Sequence, residues 1–281
     1  MRIRYAIPVL AVAAALALTG CVNNDTPSTS SGNVKTGGKD AALAALLPAS
    51  IKKSGVITVG VDATYAPNEY KDANGNAVGW DIDLFNAVAK KLGVKAVYDI
   101  ADFDTIIPAI TGGKYDVGVS SFTDTTDREK QVNFVDYYSA GIEWASPSGK
   151  TVDPDNACGP KVAVETGTVE QTDDIPGKSK ACVAAGKKPI QILQFAGQDA
   201  ATNAVVLGQA DAMSADSPIT DYAIAQSNGK LQAAGKSFDV APYGIAVDKG
   251  SKLDVAIEKA LQVMISDGSY TAVLQKWGVT D

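Results

Sequence analysis

Gly79-Trp80-Asp81-Ile82-Asp83-Leu84-Phe85-Asn86-Ala87-Val88-Ala89 is the stretch on which the reading of this chain turns. Ile82, Phe85, Val88, Ala89 and Leu92 recur at helical spacing. Asp81 and Asp83 suit the positive end of a helix and Gly93 suits its C′ position, so the pattern predicts a helix over 81–92. Upstream, Ile57-Thr58-Val59-Gly60-Val61 has the β-branched character of a buried strand, and Lys71-Asp72-Ala73-Asn74-Gly75-Asn76 reads as a turn. Downstream, 94–100 and 115–121 read as strands around a short helix at 105–110. In the second half, strands are expected at 161–164, 190–193, 211–214 and 243–247, and helices at 199–207, 218–226, 252–265 and 270–277. Repeated β-α units imply an α/β fold with mostly parallel strands. In such sheets ligands bind beyond the carboxyl ends of the strands. No fixed-period repeat is visible.

Composition bounds the function. The chain has 281 residues, enough for two domains or one large one. Hydrophobic residues make up 46% and charged residues 20%, which fits a packed globular body and excludes general disorder. A formal charge of −7 gives no global positive field to attract nucleic acid. Histidine is absent, which removes the most frequent general base, the Ser–His and Cys–His pairs and the most frequent zinc ligand. Carboxylate-based catalysis stays open. No cofactor is implied.

Residues 1–20 read as a signal peptide: Arg2 and Arg4 precede an apolar run at 7–18 that is short for a bilayer span. The run ends in Leu18-Thr19-Gly20-Cys21, which resembles the lipobox of bacterial lipoproteins. That resemblance implies cleavage before Cys21, its lipidation, and anchoring to the outer face of the cell membrane. The alternative is an ordinary secretory signal with an incidental cysteine. Two arginines and no acids leave with residues 1–20, taking the charge from −7 to −9. Residues 21–40, rich in Ser, Thr, Asn and Gly, read as a flexible tether. Export implies an oxidising setting, so Cys158 and Cys182 are expected to form a disulfide; a metal site on two thiolates lacks further ligands.

The strand ends carry a recognisable set of groups. Asp62-Ala63-Thr64-Tyr65-Ala66-Pro67 follows the first strand, Ala101-Asp102-Phe103-Asp104 the second, and Ser120-Ser121-Phe122-Thr123, then Arg128, the third. Glu165-Thr166-Gly167-Thr168 and Ala215-Asp216-Ser217-Pro218 end two strands of the second half. With the stretch at 79–89 and the terminal Asp267-Gly268-Ser269-Tyr270 and Lys276-Trp277-Gly278, the chain from 56 to 278 resembles the family 3 bacterial solute-binding proteins, receptors of amino-acid ABC importers. Trp80 stands where the family signature has Phe or Tyr, and Asn68 where a Phe is frequent.

The resemblance implies a two-lobed periplasmic-binding-protein fold of type II, with mixed, mostly parallel sheets and two hinge strands. Lobe 1 would comprise 41–141 and the C-terminal part, 239–281, which begins with the second hinge. Lobe 2 would be 142–238, with hinges near 137–141 and 239–243. Arg128 matches the arginine that grips the ligand α-carboxylate, a task suited to the planar paired donors of a guanidinium. Ser121 and Thr123 match donors to the same carboxylate or acceptors from the amine, and Ser120 belongs to the same segment. Asp216 matches the partner of the ligand ammonium, although an N-cap before Pro218 is the plain structural alternative. Thr168 matches a second-lobe carboxylate contact, with helix capping as its alternative. Tyr65 and Phe103 match the rings that sandwich the ligand side chain.

Asp62 matches an acidic position of basic-amino-acid and glutamine receptors. If Glu165 also faces the pocket, a cationic side chain is favoured, because an unpaired buried carboxylate is costly. The function implied is non-enzymatic capture of a polar or basic L-amino acid by a monomer, with delivery to ABC permease subunits. Rival readings are an exported cyclohexadienyl or prephenate-type dehydratase on the same fold, and a sensory amino-acid-binding module.

Overall fold

The computed structural model describes residues 38–279, all within one compact unit. The expected signal peptide, the lipidation site Cys21 and most of the expected tether lie outside the described residues. Among the described residues no helix is long and apolar enough to cross a membrane.

The first half of the chain opens with helices α1 (Ala41–Ala44) and α2 (Ala49–Ser54), strand β1 (Val56–Val61), and a small sheet of β2 (Thr64–Tyr65), β3 (Glu69–Lys71) and β4 (Ala77–Val78). Next come α3 (Trp80–Leu92), β5 (Lys95–Ile100), α4 (Phe103–Thr111), β6 (Val117–Thr123) and the long β7 (Val132–Pro147). The second half holds β8 (Lys161–Glu165), α5 (Ile175–Ala184), β9 (Gln191–Phe195), α6 (Gln198–Val206), β10 (Ala212–Asp216), α7 (Ser217–Gln226) and β11 (Leu231–Ala233). The long β12 (Phe238–Asp248) and helices α8 (Leu253–Ser266) and α9 (Ser269–Trp277) end the chain.

The main sheet runs β5-β1-β6-β12-β7-β10-β8-β9, with β11 on β7. Strands β5, β1 and β6 pair in parallel at one end, and β10, β8 and β9 at the other. Between these blocks β7 and β12 run antiparallel to one another, with Ala241 opposite Ala140 and Tyr243 opposite Tyr138. Two parallel blocks joined by two long strands give the two-lobed type II periplasmic-binding architecture.

Each block has its own core. Trp80, Leu84, Phe85 and Val88 of α3 pack against Ile57 and Val59 of β1 and Ile257 and Leu261 of α8. Burying side chains of this size contributes about 1.5–3 kcal/mol each. In the second block Trp144 packs with Val162, Val164 and Ile175. Helix α3 can start where it does because Gly79 has φ +138° and passes so close to β3 that a Cβ there would lie 1.9 Å from the Asn68 carbonyl oxygen. The terminal motif closes on the same helix: Lys276 Nζ and Trp277 Nε1 donate to Asp83 Oδ2 at 2.6 and 2.8 Å. Lys91 pairs with Asp267, and the Tyr270 hydroxyl donates to the Tyr137 carbonyl at 2.6 Å. The turn read at 71–76 is the β3–β4 connection, where Asp72 Oδ1 accepts from the Asn74 and Asn76 amides. Cys158 and Cys182 form a disulfide with Cα atoms 5.6 Å apart, a closure worth ~3 kcal/mol on the chain-entropy model.

Candidate functional site

The carboxyl ends of β1, β6, β8 and β10 converge on one cavity. All ten cavity residues expected from the sequence line it, and Val169 and Glu170 complete the lining. Asp62 follows β1, and its backbone N–H donates to Ser120 Oγ at 2.9 Å, so Ser120 holds the end of β1 to the end of β6. The Asp62 carboxylate accepts from the Thr64 amide at 2.9 Å and the Thr64 hydroxyl at 2.6 Å. The same hydroxyl lies 3.5 Å from Glu165 Oε1, across the cavity on β8. Gln198 N–H, at the start of α6, donates to Thr64 Oγ1 at 3.0 Å.

Arg128 sits in a short 3₁₀ turn after β6. Its Nη1 donates to the Thr123 carbonyl at 2.8 Å and its Nη2 to the Gly167 carbonyl of the opposite wall at 3.0 Å. The guanidinium carbon lies 5.3 Å from the Phe103 ring and 5.6 Å from Phe122, two rings that stack at 4.6 Å. One face of Phe103 is therefore taken by Phe122. Among the described residues no carboxylate lies within ion-pair distance of Arg128. Burial lowers its pKa from the usual arginine value, opposed by the charges of Glu170 and Asp216.

On the opposite wall, the Thr168 hydroxyl donates to the Glu165 carbonyl at 3.0 Å and accepts from the Gln171 amide at 3.4 Å. Gln171 Oε1 accepts in return from the Gly167 amide at 3.1 Å. The Thr168 hydroxyl thus also accepts from the first turn of the segment that leads into α5, while still lining the cavity. Asp216 behaves in the reverse way. It occupies the N-cap position of α7 but makes no side-chain cap bond. Its Oδ2 accepts instead from the Tyr65 hydroxyl at 3.0 Å, and that hydroxyl accepts from the Asp216 amide at 3.1 Å.

Ser121 lines the cavity with its hydroxyl already engaged: it donates to Glu69 Oε2 at 3.1 Å and accepts from Asn68 Nδ2 at 2.9 Å. Thr123 contributes its carbonyl to Arg128.

Four buried carboxyl groups, Asp62, Glu165, Glu170 and Asp216, thus share the cavity with one guanidinium. Burial pushes all four upward. Asp216 rises to about 6, and Glu170, also beside the Asp216 charge, to about 8. Glu170 Oε1 is buried without a hydrogen-bond partner. Such a site is under-supplied with positive charge and with donors. Among the described residues no group of three His, Cys, Asp or Glu side chains is placed to hold a metal ion.

Glu170 is the residue that sequence reasoning missed. It lies in a single π-helical turn, Glu170–Asp174, leading into α5. The signal was present: Thr168 and Gln171 have capping-box spacing, which puts Glu170 in the first turn, beside the end of β8.

A two-lobed α/β frame with a polar cavity at its strand ends defines a class of binding proteins. The chain belongs to the bacterial extracellular solute-binding proteins, family 3, whose model matches residues 57–280. It is similar to the arginine-binding protein ArgT of Corynebacterium glutamicum, with 36% identity over 241 residues, covering 85% of this chain and 79% of that one. The lysine/arginine/ornithine-binding periplasmic protein of Escherichia coli is 30% identical over 238 residues, 79% of this chain and 86% of that one. A solved structure of an ancestral arginine-binding protein bound to arginine superposes with a TM-score of 0.73 at 37% identity, over 79% of this chain and 98% of the other.

Proposed function

We propose that this protein captures a cationic L-amino acid, arginine or a relative with a side-chain ammonium or guanidinium, and hands it to an ABC permease without transforming it. The observation that carries the reading is the four-to-one excess of buried carboxyls over guanidinium around one cavity. A zwitterion with one further positive charge supplies what that cavity lacks. Arg128 would take the α-carboxylate, with Asp216 and Glu170 on the α-ammonium. Asp62 and Glu165, from opposite walls, would hold the side-chain cation. Arginine in the name of two relatives and in a superposed structure supports the choice.

In this reading the lobes are 41–141 with 239–281, and 142–238. Their hinges lie at 137–141 and 239–243, and the ligand bridges them, so its differential affinity favours closure. A monomer tethered outside the cell through lipidated Cys21 completes the proposal.

The test is calorimetry and thermal shift against the common amino acids. Arginine, lysine or ornithine is expected to bind most tightly, and ligand at 100 times its Kd should stabilise by about 2.7 kcal/mol. Equal or stronger response to an acidic or apolar amino acid overturns the assignment. Product formation from a cyclohexadienyl substrate would overturn binding without chemistry.

A further inference from the structure

Asn68 and Glu69 are fully buried and neither lines the ligand cavity. Asn68 uses both ends of its carboxamide. Its Oδ1 accepts from Trp80 Nε1 at 2.6 Å, and its Nδ2 donates to Ser121 Oγ at 2.9 Å. The two departures from the family pattern therefore answer each other: a buried indole N–H needs an acceptor, and a Phe at 68 would offer none. Glu69 Oε2 accepts from the Ser121 hydroxyl at 3.1 Å. The Ser121 amide donates to Asp81 Oδ2 at 3.2 Å, and the Tyr137 hydroxyl donates to the same oxygen at 2.8 Å.

All these contacts converge on a residue with φ +48°, a left-handed conformation that residues with a Cβ rarely adopt. Strain of this kind persists only where surrounding groups over-determine it. The binding wall flanks Ser121 on both sides along the chain: Ser120 holds the end of β1, and Thr123 holds the Arg128 guanidinium.

We propose that Asn68 and Glu69 are positioning residues for ligand binding, which hold Ser121 in its left-handed conformation and so aim the end of β6, and through it Arg128, at the ligand. Neither touches the guest. The inference rests on the amino-acid-binding reading above. Burial and the neighbouring Asp81 charge push the Glu69 carboxyl well above the usual range; a glutamine carboxamide at 69 keeps the oxygen that accepts from the Ser121 hydroxyl.

The experiment combines L-arginine calorimetry with amide hydrogen exchange at Ser121 on the folded chain. Asn68→Ala and Glu69→Ala are expected to weaken binding at least fivefold with the circular dichroism unchanged, and Glu69→Gln to stay within twofold of the parent. In a Ser121→Gly background, where the left-handed φ carries little penalty, the Ala substitutions should cost less than twofold. Equal losses in both backgrounds would show a merely structural role and overturn the proposal. Ligand-free, both Ala variants should speed exchange of the Ser121 amide at least tenfold while leaving the Val59 amide of β1 unchanged; no change at Ser121 also overturns it. Should the parent protein fail to bind arginine, the functional reading falls, while the exchange measurement still decides whether Asn68 and Glu69 hold Ser121. Glu69→Ala supplies the comparison if Asn68→Ala does not fold.

Discussion

The Tyr65 hydroxyl is bonded twice to Asp216, donating to its carboxylate and accepting from its amide, across 151 residues of sequence. Its ring packs with Ala201, Val205, Ala215 and Ile219, so a residue of β2 sits in the core of the opposite block. Tyr65→Phe keeps that packing and removes both bonds. It leaves a buried carboxylate without its donor, and arginine affinity is expected to fall about three- to tenfold, the scale of ~1 kcal/mol or slightly more. Calorimetry checks this; an unchanged Kd would show that the pair has no part in binding.

Arg128→Ala is expected to lower affinity at least tenfold, the scale of a lost charge-assisted contact of ~1.5–3 kcal/mol. Arg128→Lys should recover only part of the loss. An ammonium restores the charge but cannot keep the Thr123 and Gly167 carbonyls while presenting paired donors. Kd values for both variants, with circular dichroism as a fold control, decide the point.

Glu165→Gln should change preference more than strength. A carboxamide there no longer rewards a side-chain cation, so the ratio of arginine to glutamine affinity is expected to drop about tenfold. Competition binding with the two amino acids reads that ratio directly. An unchanged ratio would mean that Glu165 does not meet the side chain.

The pH dependence has a definite sign. Glu170 and Asp216 titrate near 8 and near 6 in the folded protein without ligand, above the ordinary carboxyl range near 4. Between those values the native state holds protons that the unfolded chain has released. Ligand-free stability should therefore rise as pH falls from about 8 towards 4.5 and level off below. Binding a cation favours the ionised carboxylates, so the Tm increase given by arginine should shrink over the same range. Melts at pH 8, 6.5 and 5, with and without arginine, test both slopes. Glu170→Gln should flatten the ligand-free one.

Much of this was legible in the sequence because the residues concerned follow local rules. The helix beginning near Asp81 was visible from its apolar spacing and its closing Gly93, and strand ends could be located without tertiary information. The cavity residues were found from those strand ends and from the family resemblance. Helix α5 was missed because it follows the acidic turn Glu170-Gln171-Thr172-Asp173-Asp174 and carries Pro176 and Gly177, which give weak intrinsic helicity. Its order comes from outside, through the Thr168 hydroxyl that accepts from the Gln171 amide and the disulfide at Cys182. Strand β7 was expected only through the resemblance, as a hinge strand near 137–141, because Asp136, Gly141 and Glu143 break any clean local alternation. Its pairing with β12 is long-range and invisible locally. Glu170 escaped for a related reason: an acid in a first helical turn reads as solvated and dipole-favoured, and only the tertiary fold buries it.

The two long strands that link the blocks are bonded to each other, Ala140 to Ala241 and Tyr138 to Tyr243, rather than running separately. A bonded ladder resists stretching and shearing far more than it resists twisting. On the proposed reading, closure would turn the blocks about this ladder rather than slide them apart. If the proposed guests set that turn, ornithine, lysine and arginine, which differ in length, would close the blocks to different angles.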